Sequence, residues 1–153
     1  MGTEILANTE ITDATPERPR VLVLSSGDIL FAWSRNDTSG ERGVVGRRFQ
    51  SDGTSVDASD VLIESQTYSR YPDMAELGNG KIVIVYTVSG GTLDGGSNGI
   101  AFKIFSSSLT EVVGRTQANT YTSGSQDSPS IKALPNNRFA IVWTSGHSDN
   151  GDI

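Results

Sequence analysis

The stretch PDMAELGNGKIVIVY at residues 72–86 decides the fold, because it contains two apolar segments joined by a turn. Pro72 opens the first segment, and proline suits the first residue of a strand since it has no N–H to donate to a ladder. Asn79 and Gly80 form the dipeptide that best predicts a tight hairpin. The second segment, residues 82–86, is an unbroken apolar run, which is typical of a strand covered on both faces. The stretch therefore predicts a β-hairpin with a buried second strand.

The same pattern occurs three times along the chain. Two landmarks return with the same spacing of 53 and then 57 residues: a proline at the start of the first segment and an aromatic residue at the end of the second. Matching offsets of two independent landmarks indicate an internal repeat. The prolines are Pro19, Pro72 and Pro129, and the aromatic residues are Trp33, Tyr86 and Trp143.

Further segments complete the repeat. Third strands are predicted at residues 43–49 and 99–105, and weaker fourth strands at 61–64 and 116–119. Apolar residues nowhere recur at helical spacing over ten residues, so almost no helix is expected. Four antiparallel strands in about 50 residues, with the second strand buried on both faces, predict an all-β, β-propeller-like fold. A β-sandwich is the alternative, although it favours a cleaner inside–outside alternation.

The repeat divides the single expected domain, residues 1–153, into about 2.7 units. The units cover approximately residues 19–71, 72–128 and 129–153, and residues 3–9 resemble the last strand of a preceding or final blade. A propeller needs at least four blades to close. We therefore expect that a longer chain or a homo-oligomer completes the ring.

Composition excludes several classes of protein. The 153 residues contain no cysteine, which excludes a disulfide framework, a thiolate metal site and a cysteine nucleophile. His147 is the single histidine, so any histidine-built metal site or Ser-His-Asp triad must converge on it. The net charge of −6 argues against nucleic-acid and anionic-membrane partners. No apolar run has membrane-spanning length, and no signal-peptide core follows Met1.

The segment GVVGRRF at residues 43–49, followed by Asp52 and Gly53, resembles a tandem β repeat of large secreted bacterial proteins. Those proteins often carry hemolysin-type (RTX) calcium-binding nonapeptides. The repeat has Tyr and Gln where this chain has Val45 and Arg47, and the nonapeptide Gly-Gly-x-Gly-x-Asp does not occur here. The resemblance implies a β-propeller-like module in a secreted, extracellular or cell-surface setting.

The loops that follow the aromatic landmarks are rich in Asp, Asn, Ser and Gly. Calcium takes six to eight oxygen ligands from such residues, although the same residues also fill ordinary turns. Two alternatives are therefore expected: either the chain binds no cofactor, or it binds Ca²⁺. The candidate calcium ligands are Asp94, Asn98, Asp149, Asn150 and Asp152.

A glycan-binding site is the second candidate. Sugar sites combine aromatic faces with polar side chains, and the loops of a propeller supply both. Tyr68 and Tyr71 flank Arg70 in a segment between units that has no counterpart in the other copies. Trp33, Tyr86 and Trp143 stand at strand ends, where they either line such a site or act as wedges between blades.

Enzymatic chemistry has weaker support in the sequence. The Asp-box pattern of sialidases is absent, and 18 acidic residues always include some pair at a workable separation for glycoside cleavage. We therefore predict no catalytic residue and no enzyme. The predicted function is a structural or adhesive module, the alternative is a lectin-like carbohydrate-binding module, and a glycoside hydrolase or sialidase-like fragment comes third.

Overall fold

The structure is a computed structural model that describes residues 4–8, 16–36, 42–65, 68–90, 93, 95 and 97–146. Within this part of the chain the fold is all-β, with ten strands and no helix. The strands are β1 (Glu17–Val23), β2 (Ile29–Asn36), β3 (Arg42–Phe49), β4 (Val61–Glu64), β5 (Arg70–Glu76), β6 (Ile82–Val88), β7 (Gly99–Phe105), β8 (Glu111–Gln117), β9 (Gln126–Leu134) and β10 (Arg138–Ser145).

The strands form three antiparallel sheets in chain order. β1–β4 form blade 1, β5–β8 form blade 2, and β9–β10 form the two-stranded blade 3. One apolar cluster joins blades 1 and 2, and a second joins blades 2 and 3. A sandwich has one core between two sheets, whereas blade 2 has a core on each of its faces. The predicted β-propeller-like arrangement is therefore confirmed, and the sandwich alternative is excluded.

Strand β6 shows why the apolar run at residues 82–86 is unbroken. Ile82, Ile84 and Tyr86 face blade 1, while Val83 and Val85 face blade 3. All seven residues of β6 are buried. A strand with a sheet on either side has no solvent face, so both sets of alternating side chains are apolar.

The turns between first and second strands follow the predicted chemistry. Gly80 adopts φ 76°, which is the left-handed region that glycine enters without a steric penalty. In the third copy, Asn136 and Asn137 both have positive φ, of 60° and 58°. Two consecutive left-handed residues are the requirement of a type I′ hairpin turn, and asparagine tolerates them.

Three details of the strand prediction are wrong. Each first strand begins two or three residues before its proline, because a bulge lies there, as described below. The fourth strand of blade 2 is Glu111–Gln117 instead of residues 116–119. The expected strand at residues 3–9 is not seen in its described part, since residues 4–8 belong to no sheet and a strand needs a paired neighbour.

The GVVGRRF segment forms β3 and serves the internal structure of blade 1. A Cβ atom at Gly43 would overlap the carbonyl oxygen of Glu64, so only glycine fits between β3 and β4. The Arg48 side chain forms an ion pair with Asp57, and the Arg48 N–H also donates to Asp57 Oδ2 at 2.7 Å. These contacts explain the motif structurally, while membership of the repeat family stays a prediction.

Candidate functional site

The first strands of the three blades, β1, β5 and β9, lie side by side. Asp73 on β5 connects them, since its Oδ1 lies 3.6 Å from Arg20 Nε on β1 and its Oδ2 accepts from Ser130 Oγ on β9 at 2.9 Å. The first strands of neighbouring blades therefore begin at a common edge of the molecule. Side chains from three separate parts of the sequence meet there.

A bulge interrupts each first strand just before its proline. Arg18, Tyr71 and Ser128 precede the three prolines, and their φ angles are 56°, 56° and 55°. The left-handed region costs a non-glycine residue about 1–2 kcal/mol, and the strand pairing is irregular at each of these places. A bulge changes the direction of the neighbouring side chain. Because the bulge recurs in all three copies, it is a regular feature of the repeat.

At two of these bulges, those of β5 and β9, a hydroxyl group of the preceding blade binds the backbone. The Tyr71 N–H donates to Ser34 Oγ at 3.0 Å, and the Ser128 N–H donates to Thr87 Oγ1 at 3.2 Å. Ser34 and Thr87 follow the aromatic landmarks of blades 1 and 2, and both are buried. The preceding blade therefore satisfies a donor that the bulge removes from the ladder.

Two residues before each proline, the bulge places a charged side chain: Glu17, Arg70 and Asp127. Arg70 Nη2 lies 3.3 Å from Asp127 Oδ2, which also accepts from Asn98 Nδ2 at 2.7 Å. Equivalent positions on β1, β5 and β9 thus carry an acid, a base and an acid. We call these three residues the strand-start triad.

A surface cavity of about 210 Å³ lies at this edge. Its lining consists of Glu17 from β1, Ser34 and Arg35 from the end of β2, and residues 68–71. The guanidinium carbons of Arg18 and Arg70 lie 4.7 and 5.0 Å from the centre of the Tyr71 ring. Cation–π contacts of this kind hold the ring in place. We call this space the first-strand cavity.

Three buried polar atoms at the starts of β5 and β9 have no hydrogen-bond partner within the described residues: Ser69 Oγ, Arg70 Nε and Asp127 Oδ1. The Ser69 side chain is almost inaccessible, at 1% exposure. Buried polar groups in native proteins nearly always have a partner, which includes water and ligands. These three atoms therefore have hydrogen-bonding capacity that the described residues do not use.

The structure brings together three of the predicted ligand-binding residues. Tyr68, Arg70 and Tyr71 all line the first-strand cavity. Tyr68 is 44% exposed and also has positive φ, of 68°. These residues combine aromatic rings with a charged donor, which is the combination expected of a sugar site.

The structure places the other three aromatic candidates elsewhere. Tyr86 is fully buried between blades 1 and 2, and its hydroxyl donates to Glu64 Oε2 at 2.7 Å. Burial, and then the hydrogen bond and negative charge of Glu64, raise the pKa of Tyr86 well above its usual range. Trp33 lines a separate, mainly apolar cavity of about 190 Å³ beside residues 7 and 8. Trp143 is half-buried on β10 against blade 2.

Four of the five candidate calcium ligands lie in parts of the chain that the structure does not describe. Asp94, Asp149, Asn150 and Asp152 lie outside the described residues. Asn98 lies at the strand-start triad, where its amide nitrogen binds Asp127. Among the residues that the structure describes, no three of His, Cys, Asp and Glu form a metal-binding group. Calcium binding stays a prediction.

Sequence reasoning missed Glu17, Ser34, Ser69 and Asp127. The usable signal was the repeat itself, because Glu17, Arg70 and Asp127 each stand two positions before a repeat proline. Their proximity depends on the packing of neighbouring blades, so the alignment of copies shows that they are equivalent but does not show that they lie close together.

No protein-family model matches the chain, and no curated protein matches it. Solved structures do match. A thermostable family-43 glycoside hydrolase has a TM-score of 0.59 and 11% identity, over 86% of this chain and 49% of its own. An endo-arabinase from Bacteroides thetaiotaomicron VPI-5482 has a TM-score of 0.60 and 14% identity, over 97% and 62%. An endo-1,4-beta-xylanase from the same organism has a TM-score of 0.57 and 9% identity, over 90% and 51%.

At these identities the likeness establishes the fold, a β-propeller-like array of blades. The chain spans about half to three fifths of the length of the solved structures that it matches. The three similar structures are glycoside hydrolases. This finding corrects two predictions: that the chain is a non-enzymatic structural or adhesive module, and that it has no enzymatic function. The predictions were wrong because they relied on the repeat pattern. That pattern consists of turn and core residues, so it predicts the scaffold and carries no information about the chemistry at the strand starts.

In the described part of the chain, no helix has the length and apolar character needed to cross a membrane.

Proposed function

We propose that this chain is part of a carbohydrate-active enzyme that cleaves glycosidic bonds, and that its sugar substrate binds in the first-strand cavity. The observation that supports this most is the strand-start triad. Glu17 and Arg70 line one cavity together with Tyr68 and Tyr71, and Asp127 forms an ion pair with Arg70 at the same edge. The scaffold that holds them has the fold of glycoside hydrolases.

Two carboxyl groups of the triad suit the chemistry. Most glycosidases use a pair of carboxyl groups that flank the scissile bond. Glu17 is exposed on the cavity wall, whereas Asp127 is held by Arg70 and Asn98. Carboxyl groups in unequal surroundings take different roles, one as proton donor and the other as base or stabilising anion. We assign the proton-transferring role to Glu17 and the anionic role to Asp127.

The remaining cavity residues suit sugar recognition. The Tyr71 ring, held by Arg18 and Arg70, offers a fixed aromatic surface against which a pyranose or furanose ring packs. Tyr68, which is 44% exposed, offers a second aromatic surface on the wall of the same cavity. Because glycan polymers are encountered outside the cell, a secreted or cell-surface location accompanies this proposal.

The test compares hydrolysis by the full chain and by single variants. The substrates are arabinan, xylan and chromogenic arabinosides and xylosides, chosen because similar folds bear the names arabinase and xylanase. We expect Glu17→Gln and Asp127→Asn to lower the rate of product release by about 100-fold or more, the range of general acid–base catalysis. Glu111→Gln is the matched control, since Glu111 is an exposed glutamate on the outermost strand β8.

Binding of the corresponding oligosaccharides is measured in parallel by calorimetry, and circular dichroism checks that each variant is folded. Hydrolysis that is equally fast in Glu17→Gln and in Glu111→Gln contradicts the assignment of Glu17. Binding without any hydrolysis contradicts the enzymatic proposal. If the full chain neither binds nor hydrolyses any substrate of the panel, that result contradicts the proposed site as a whole.

A further inference from the structure

One face of blade 3 is apolar and open to solvent. Its outward-facing residues come from β9 and β10 and include Leu134 at 40% exposure and Val142 at 66% exposure. Thr144 belongs to the same set and is also exposed. We call this surface the trailing face of blade 3; it consists of Leu134, Ala140, Val142 and Thr144, and the exposed Lys132 lies beside it, opposite Ala140.

The equivalent faces of blades 1 and 2 are both covered. In the repeat, each trailing-face position of blade 3 has one counterpart in blade 2 and another in blade 1, at the spacings of 57 and 53 residues. All these counterparts are between 0% and 6% exposed, because the next blade packs on them. They are Leu77, Val83, Val85 and Thr87 in blade 2, and Leu24, Leu30, Ala32 and Ser34 in blade 1.

The structure also shows what covers such a face. Alternate residues of the next blade's first two strands pack on it: Met74, Ile82, Ile84 and Tyr86 on blade 1, and Ile131, Phe139, Ile141 and Trp143 on blade 2. A hydrogen bond accompanies each contact: the backbone N–H of the residue before the repeat proline donates to the side-chain hydroxyl oxygen of Ser34 or Thr87. The molecule therefore shows twice which surface covers a trailing face: the first two strands of another blade.

Blade 1 carries the same covering surface, and its inner part is exposed. Val21 is the counterpart of Met74, and Val21 and its neighbour Val23 are 62% and 67% exposed. Ile29 and Phe31, the counterparts of Ile82 and Ile84, are half-buried. Residues 4–8 lie over the outer part, where Ala7 O accepts from Arg47 Nη1 at 3.1 Å, and Ile5 also lines a cavity with Ile29 and Phe31, so Val21 and Val23 are the most exposed members of this surface. We call the inner part, Val21, Val23, Ile29 and Phe31, the leading face of blade 1.

We propose that the trailing face of blade 3 binds the leading face of blade 1 in a second copy of this chain. In this head-to-tail contact Val142 packs against Val21 and Ile29 of the other copy, as Val85 packs in the cluster with Ile131. The N–H of the other copy's Arg18 donates to Thr144 Oγ1, the counterpart of Ser34 and Thr87. Two different faces meet, so the contact is heterologous and can extend beyond a dimer. The proposal does not depend on the proposed enzymatic function.

The test measures molar mass by light scattering during size-exclusion chromatography at increasing concentrations of the full chain. We expect the wild-type mass to rise to that of two or more copies. Val142→Asp and Val21→Asp each place a charge in the contact and raise the dissociation constant by about 30-fold or more, the effect of an interface hot spot. Val112→Asp is the matched control, because Val112 is 48% exposed on β8 and belongs to neither face.

A mixture of the two variants separates a head-to-tail contact from any other association. Val142→Asp keeps an intact leading face, and Val21→Asp keeps an intact trailing face. Their equimolar mixture therefore forms a dimer of one chain of each kind and nothing larger. A wild-type mass of one chain at every concentration overturns the proposal. So does a Val142→Asp variant that associates as well as Val112→Asp, or a mixture that stays monomeric.

Discussion

Strands β6 and β10 are the same element of the repeat, yet their surroundings differ. Val85 on β6 and Val142 on β10 occupy equivalent positions, and one is 0% exposed while the other is 66% exposed. Every residue of β6 is buried, whereas exposed and half-buried residues alternate along β10. β6 lies between two blades, and β10 has a blade on one side. The apolar run is thus a property of the strand, and its burial is a property of its neighbours.

The largest expected contrast comes from a charge at the two equivalent valines. Val85→Asp buries an unpaired carboxylate, so the free energy of unfolding falls by about 3–5 kcal/mol. Val142→Asp at a protein concentration where the chain is monomeric changes it by about 0.5 kcal/mol or less, as is usual for an exposed site. Urea denaturation followed by circular dichroism measures both. Equal losses in the two variants would show that the trailing face of blade 3 is already covered in the monomer.

A second contrast concerns Tyr86 on β6, whose counterpart on β10 is Trp143. Burial and Glu64 raise the pKa of Tyr86, so the folded state holds this proton more tightly than the unfolded state. The stability that this bound proton gives the folded state is fully present below a pH of about 10, the pKa of tyrosine in the unfolded chain. As the pH rises beyond that value, stability declines by about 1.4 kcal/mol per pH unit.

The measurement is the urea midpoint between pH 8 and pH 11.5 for the wild type and for Tyr86→Phe. The variant lacks the titrating hydroxyl, so its curve is expected to be flatter above pH 10. Tyr121→Phe serves as the control, because Tyr121 is 44% exposed and lies outside the interblade contacts of β6. Parallel curves for the wild type and Tyr86→Phe would contradict the assignment.

The smallest contrast is between two threonines. Thr87→Val removes the acceptor for the Ser128 N–H and keeps the side-chain shape, so we expect a loss of about 1 kcal/mol. Thr144→Val is the matched control at the equivalent, exposed position, where the monomer changes little. The urea midpoints of the two variants give the comparison. If the Thr87 variant is as stable as the Thr144 variant, the blade-to-blade hydrogen bond contributes nothing.

Much of the fold follows from local pattern. The spacing of Pro19, Pro72 and Pro129 predicted three copies, and residues 99–105 form a strand with the predicted bounds. The starts of the first strands were not predictable in the same way. Proline read alone indicates the first residue of a strand, but each strand starts before its proline and contains a bulge there, which in β5 and β9 is supported by the hydroxyl of Ser34 or Thr87 on the adjacent blade.

The candidate site was partly predictable for the same reason. Tyr68, Arg70 and Tyr71 stand out in the sequence because no other copy repeats them. Glu17 and Asp127 do not stand out, since an acid near a strand start is common on any surface. Asp127 forms an ion pair with Arg70, and Glu17 lines the same cavity as Arg70, and both relations require three blades to pack side by side.

By itself, the sequence determined the strand order, the hairpins and the apolar pattern of each blade, because these depend on local turn chemistry and on alternation along a strand. The tertiary structure alone decided which apolar faces are buried and which charged side chains meet. Those outcomes depend on contacts between residues more than 50 positions apart, such as Arg70 with Asp127. Such contacts exist only once neighbouring blades have packed against each other.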